Sequence, residues 1–211
     1  MLDYTPDPAI IKAGSLLICQ PLRYTSAMSY CKIAPGHPLH GPYHDREYGF
    51  PVSDESALFE RLVLEINQAG LSWTTILAKR QNFRAAYHGF EVDRVAAYGV
   101  RDRRRLLNDP AIVRNRLKID AAIENARRIR NLRSTHSTFA AWLASHHPLS
   151  KPEWVKLFKK TFAFTGGEIT GEFLLSIGYL PGAHDKTCPA YAKVVQLKPP
   201  WTDRRVVSVI K

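Results

Sequence analysis

Between Arg114 and Arg133 the apolar residues Leu117, Ile119, Ala122, Ile123, Ala126, Ile129 and Leu132 recur at helical spacing, and the positions between them are largely basic. That period fits one face of a long α-helix and no strand, because strand side chains alternate every second residue. The same spacing returns along the chain. Leu58, Phe59, Leu62, Val63 and Ile66 make one stripe of a helix predicted from Ser56 to Gln68, with Asp54 and Glu55 suited to its start and Gly70 to its end. Ser72 can cap the next, in which Trp73, Ile76, Leu77, Arg80, Phe83 and Tyr87 recur. Short helices are predicted from Asp93 to Tyr98, ended by Gly99, and from Asp102 through Leu106 and Leu107 to a stop at Pro110. Ser150-Lys151-Pro152-Glu153 opens another, with Trp154, Leu157 and Phe158 on its apolar side, and a last helix is predicted between Gly166-Gly167 and Gly178. No period-two run with hairpin turns interrupts this pattern, so the expected fold class is all-α.

The chain has 211 residues, 45% of them hydrophobic, enough for one compact domain or two small lobes sharing an interface. No apolar run approaches the roughly 18 residues of a membrane span. Residues 1–27 carry no strong periodicity and precede Met28-Ser29-Tyr30-Cys31, a plausible natural start, so they are expected to be an extension. The apolar stretch Ala13–Cys19 is short for a secretion signal, with Asp3 and Asp7 where a basic start belongs. The expected domain is 28–194, followed by a basic tail over 195–211. Three widely spaced cysteines, Cys19, Cys31 and Cys188, fit a reducing cytosol better than a disulfide scaffold, and no feature calls for a protein partner.

Thirty Lys and Arg against nineteen Asp and Glu leave a formal charge of +11, which points to a polyanion, nucleic acid before an anionic membrane surface. Eleven of these cations lie between Arg101 and Arg133, around the helix-breaking segment Leu107–Asn115. There one helix ends and another begins, so backbone amides at a helix N-terminus can meet a DNA phosphate beside Arg114, Arg116 and Lys118. The alternative is a solvated charged face. Near the ends of the expected domain, Cys31 precedes His44 by thirteen positions and His184 precedes Cys188 by four. Two thiolates and two imidazoles complete a tetrahedral zinc shell with no open position, which makes such a zinc structural and ties the N-terminal to the C-terminal segment. The alternative is that the cysteines are small core residues.

Several stretches together resemble the 3-methyladenine DNA glycosylase I family: Tyr43-His44-Asp45-Arg46-Glu47-Tyr48-Gly49, Leu64–Trp73, Lys79–Arg84, Arg114–Ile119 and Phe164-Thr165-Gly166. The resemblance covers roughly residues 28–190, and Gln68-Ala69-Gly70-Leu71-Ser72-Trp73 is its most specific part. It implies a helix-hairpin-helix DNA repair fold with a structural zinc at Cys31, His44, His184 and Cys188. It implies an enzyme that extrudes an alkylated nucleotide from double-stranded DNA and hydrolyses the bond between base and deoxyribose. Glu65 is then the catalytic residue, a carboxylate complementing a cationic base, with Trp73 stacking on the base and Tyr43 beside it in the pocket. Gln68, Gly70 and Leu71 lie in the turn that enters the duplex, Leu71 as the apolar wedge. Read without the family, Glu65 is a charge at a helix boundary, Trp73 a core aromatic and Leu71 an ordinary turn residue.

Some positions depart from the family pattern. His40 stands where a pocket Tyr is usual and Ile33 where an aromatic is usual; Ile66-Asn67 replace Gly-Gln, Gly171 replaces a Tyr and Leu175 a Gln. The wedge and metal frame survive while part of the pocket lining does not, which leaves the exact lesion open. No lysine matches a nucleophile, so no strand-cleaving lyase step is expected. The reading is a monofunctional alkylpurine glycosylase of a bacterial cytoplasm and nucleoid; the alternative is a zinc-stapled lesion sensor with weak or no glycosylase activity.

Overall fold

The computed structural model describes residues 29–203, and the expected N-terminal extension lies outside them. Among the described residues the regular elements are all helical. In chain order they are α1 (Tyr30–Ile33), α2 (His40–Arg46), α3 (Glu55–Gln68), α4 (Trp73–Ala86), α5 (Val92–Ala96), α6 (Val100–Asn108), α7 (Arg116–His136), α8 (Phe139–Ser145), α9 (Lys151–Thr161), α10 (Gly167–Ser176) and α11 (Pro189–Gln196). Asp54 and Ser72 cap where they are expected to, and Asn115 caps α7, which begins at Arg116, two residues after its predicted start. Asp54 accepts from the Ala57 amide at 2.8 Å, Ser72 from Thr75 at 3.1 Å and Asn115 from Lys118 at 3.2 Å. Glu153 reaches back to the Ser150 amide at 2.8 Å, closing the start of α9.

Helix α3 is the axis of the fold. The sequence stripe predicts one buried face, yet every residue from Leu58 to Asn67 is buried, because α4, α7, α8 and α10 pack around it. Leu58, Phe59, Leu62, Val63 and Ile66 are fully enclosed, and enclosing each such side chain stabilises the fold by about 1.5–3 kcal/mol. The polar residues of α3 are absorbed locally. Glu60 binds Arg80 and Arg84 of α4 at 2.8 and 2.7 Å. The Asn67 amide donates to the Val63 carbonyl at 2.8 Å.

Helix α7 packs on α5, α6 and α8, burying Ile119, Ala122, Ile123, Ala126 and Ile129. Leu117 departs from the predicted stripe: it is 67% exposed, on the face of the first turn of α7 opposite the buried Lys118 and Ile119. The expected basic face is also smaller than the charge count implies. Arg103 pairs with Asp120, Arg128 with Glu124 and Arg133 with Asp93, while Arg127 donates to the Ala96 and Tyr98 carbonyls. Arg101, Arg104, Arg114, Arg116 and Arg130 stay exposed.

Four helices carry no sequence forecast: α1, α2, α8 and α11. Each is eight residues or shorter, too short for a 3.6-residue period to repeat convincingly. The last predicted helix, α10, is therefore not the final one. Pro199 to Thr202 also folds back, the Trp201 amide donating to the Gly178 carbonyl at 3.2 Å.

Candidate functional site

A cavity of about 660 Å³ opens between α2, α3, α4 and α10. Its walls include Tyr43, Tyr48, Glu65, Trp73 and Glu172, and Gln68, Gly70 and Leu71 form its rim. The structure thus brings Tyr43, Glu65, Gln68, Gly70, Leu71 and Trp73 to one place. Two local causes position them. Ala69 and Gly70 end α3 abruptly, with Gly70 at φ +80°, a value that favours glycine. Ser72 then restarts the chain as α4, which sets the Trp73 indole against the Tyr43 ring at 5.3 Å between centroids.

Behind Tyr43 lies an ion-pair network. Arg80 binds Glu47 at 2.7 Å and Glu60 at 2.8 Å, joining the end of α2 to α3 and α4. Arg61 donates to the Glu47 carbonyl at 2.8 Å and to that of Ser176. Both guanidinium groups sit 5.8 Å from the Tyr43 ring centroid, within cation–π range. Tyr43 is therefore clamped, not mobile, and burial pushes its phenol well above the usual range.

Glu65 is 4% exposed, and no described residue donates a hydrogen bond to its carboxyl. Neither oxygen is sealed away without a partner, since both escape the small set of fully enclosed unpaired atoms. The carboxyl faces the cavity. Burial raises its pKa well above the ordinary carboxylate value, the neighbouring Glu172 raises it further, and Arg61 opposes both. Among the described lining residues there are three glutamates and no Lys, Arg or His. In a chain of charge +11, the described lining offers acidic groups and no basic ones.

Glu172, Tyr48 and Tyr30 belong to this wall and carry no role in the sequence reading. Tyr48 donates to Glu172 at 3.2 Å. The hydroxyl of Tyr30 lies 3.1 Å from His40 Nδ1, and His40 Nε2 lies 2.9 Å from the Thr74 hydroxyl. His40 thus sits outside the lining and braces a tyrosine that is part of it. Ile66 and Asn67, two other departures, are buried in the core and do not line the cavity.

Lys118 is a correction. It is expected at a DNA phosphate, but it is 6% exposed and its ammonium donates to the carbonyls of Asn67 at 2.9 Å and Ala69 at 2.5 Å. The end of a helix leaves carbonyls without partners, and Lys118 satisfies two of them beneath the rim. Arg114 is exposed and Arg116 is 81% exposed, beside the Asp109–Asn115 turn. Lys79 anchors that turn to α4 through the Pro110 and Ala111 carbonyls at 3.3 and 3.0 Å.

A second cluster lies behind Tyr43. The ligand atoms of Cys31, His44, His184 and Cys188 all fall within 4.8 Å of one another, a group able to hold a metal ion. Each imidazole is oriented by its other nitrogen: His44 Nδ1 lies 2.7 Å from Asp45, and His184 Nε2 lies 2.6 Å from the Tyr48 carbonyl. Gly49 makes this approach feasible. At φ +81°, its missing Cβ would stand 2.7 Å from Ala183 Cβ and 3.3 Å from the His184 ring. The Asp185 amide donates to Cys31 Sγ at 3.3 Å, closing the C-terminal segment onto the N-terminal one.

Comparison with known proteins agrees with this geometry. The methyladenine glycosylase family pattern matches residues 33–159. DNA-3-methyladenine glycosylase 1 of Escherichia coli K12 is 48% identical over 100 residues, 47% of this chain and 54% of that protein's length. DNA-3-methyladenine glycosylase of Haemophilus influenzae Rd is 32% identical over 166 residues, 70% of this chain and 89% of its own length. Among solved structures, 3-methyladenine DNA glycosylase I of Staphylococcus aureus, studied for its recognition of 3-methyladenine, superposes with a TM-score of 0.69 at 30% identity. That superposition covers 78% of this chain and 97% of the other.

Proposed function

The chain belongs to the methyladenine glycosylase family, and from that premise we propose that it hydrolyses the N-glycosidic bond of an alkylated purine, 3-methyladenine first, flipped out of duplex DNA. One observation carries the reading: a buried carboxyl, Glu65, with no hydrogen-bond partner among the described residues, faces a cavity walled by Trp73 and Tyr43 and lined by no cation among them. Such a cavity repels a phosphate and suits a flat, positively charged ring.

Alkylation at N3 makes adenine cationic within the nucleotide and so a good leaving group. As the C1′–N9 bond breaks, its electron pair stays with the base, and water adds at C1′ with loss of a proton. Glu65 holds the cationic purine, Trp73 and Tyr43 give it flat apolar contact, and the clamp of Arg61 and Arg80 keeps Tyr43 in place. Leu71, 38% exposed on the rim, is the wedge that fills the vacated position in the duplex, with Gln68 and Gly70 beside it. The helix-hairpin-helix is α6, the Asp109–Asn115 turn and α7, with Arg114 and Arg116 on the phosphates. No lysine lines the cavity among the described residues, which supports simple hydrolysis without a lyase step.

The metal in this reading is structural zinc. Bonds of about 2.3 Å to sulfur and about 2.0–2.1 Å to nitrogen set tetrahedral separations of about 3.3 Å between nitrogens and about 3.6 Å between nitrogen and sulfur. The cluster has His44 Nε2 and His184 Nδ1 at 3.3 Å, and nitrogen–sulfur pairs at 3.6, 3.6 and 3.9 Å. The fit supports zinc in a closed shell that joins the two ends of the domain; when bound it supplies stability and no reacting group. The setting we assign is the bacterial cytoplasm, on the chromosome. Among the described residues no helix is long and apolar enough to cross a membrane.

Release of free base from methylated duplex DNA, read by chromatography, tests the function. Liberated 3-methyladenine with intact strands is the expected result. Binding of lesion-containing DNA without release of any alkylated base leaves a zinc-stapled lesion sensor instead.

A further inference from the structure

Glu172 faces Glu65 across the cavity, on α10, and its circumstances differ from those of an ordinary surface carboxylate. Its Oε2 accepts from Tyr48 at 3.2 Å, the one hydrogen bond it makes with any described residue, and the residue lines the cavity. The residue before it is Gly171. A Cβ at Gly171 would stand 2.7 Å from Lys151 Cε and 2.9 Å from its Nζ, so the ammonium of Lys151 occupies the space a side chain there would need. Burial raises the Glu172 pKa, and the Tyr48 hydrogen bond and then the Lys151 charge oppose that rise and favour the ionised form. The missing side chain at Gly171 thus admits the lysine, whose charge acts on Glu172 without contacting it.

Resting on the glycosylase reading, we propose that Glu172 is a second base-reading carboxylate, which with Glu65 makes the cavity a charge filter for purines carrying a formal positive charge. A neutral purine of the same shape fills the same space between Trp73 and Tyr43 yet brings no charge to Glu65, and leaves Glu172 only its Tyr48 hydrogen bond and the Lys151 charge. A cationic purine neutralises both carboxylates. The second carboxylate thus acts on discrimination between charged and neutral bases, and much less on the affinity for any flat ring.

The test measures that discrimination by calorimetry on the full chain. The probes are 3,9-dimethyladeninium, a cation because N9 is blocked as it is in a nucleotide, and 3,9-dimethyl-3-deazaadenine, in which carbon replaces N3 and removes the charge at constant shape. For the wild type the cation is expected to bind at least tenfold more tightly. In Glu172→Gln that ratio is expected to fall about tenfold while the affinity for the neutral probe changes less than threefold. Binding of the neutral probe and an unchanged melting profile report that the variant has folded, and Lys151→Gln provides a second variant, expected to lower the ratio in the same direction. A ratio unmoved by Glu172→Gln overturns this inference and leaves the glycosylase reading standing. A wild type that releases no 3-methyladenine and binds neither probe overturns both.

Discussion

Replacing Glu65 by Gln separates what this carboxyl does for the fold from what it does for the base. The residue is 4% exposed and has no hydrogen-bond donor among the described residues, and burial together with Glu172 raises its pKa in the folded state. For a carboxyl whose folded pKa lies above the unfolded value of about 4.3, its stabilising contribution is complete below that value and is lost as pH rises through the folded pKa. At pH 8 the wild type therefore bears a cost of about 1.4 kcal/mol for each unit by which the folded pKa is raised. Gln keeps the shape and cannot ionise. The expected result is a variant that melts higher at pH 8, by about 3–6 °C for each such unit at this chain length, and nearly together with the wild type at about pH 3.5, below the unfolded value. Activity moves the opposite way. Loss of a charge-assisted contact of about 1.5–3 kcal/mol lowers kcat/KM on 3-methyladenine DNA by about tenfold to a hundredfold. In the wild type, kcat/KM falls as pH drops through the raised Glu65 pKa, at a higher pH than an ordinary carboxylate gives. Calorimetric melts of both proteins at both pH values, with base-release kinetics, decide the matter. A variant that melts lower at pH 8, or a difference independent of pH, would refute the claim that Glu65 is an uncompensated buried acid.

Three further outcomes are expected. Plasma mass spectrometry should find one zinc per chain, and its removal by chelator should lower the melting temperature because the two ends of the domain come apart; an unchanged melt in metal-free protein speaks against the cluster. Lys118→Met leaves the Asn67 and Ala69 carbonyls without their donor and should cost about 1–3 kcal/mol of stability, whereas an unchanged melt with lost DNA affinity returns Lys118 to the phosphates. Arg114→Ala with Arg116→Ala should reduce the slope of log affinity against log salt by about 1.8, since each phosphate contact contributes about 0.9, and a slope that does not change removes the pair from the interface.

The all-helical class, the five longest helices and the caps at Asp54 and Ser72 are legible in the sequence, because those depend on local spacing and on which side chains can satisfy a free amide. The motifs also name the four residues of the cluster able to hold a metal and part of the cavity wall, because there the residue types are themselves the chemistry. Other features were decided only by tertiary structure. Helix α3 is enclosed on all sides because four helices converge on it, which no single stripe announces. Lys118 turns inward because the end of α3 lies beside it, and its neighbour Leu117 is left on the uncovered side of the same turn. Glu172 reads in the sequence as one more helical carboxylate; it becomes part of the cavity only because α10 docks beside α3 and Gly171 admits Lys151. Local propensity is set by neighbours within about four residues along the chain, whereas burial, and with it the sign and strength of a charge's effect, is set by residues more than a hundred positions away.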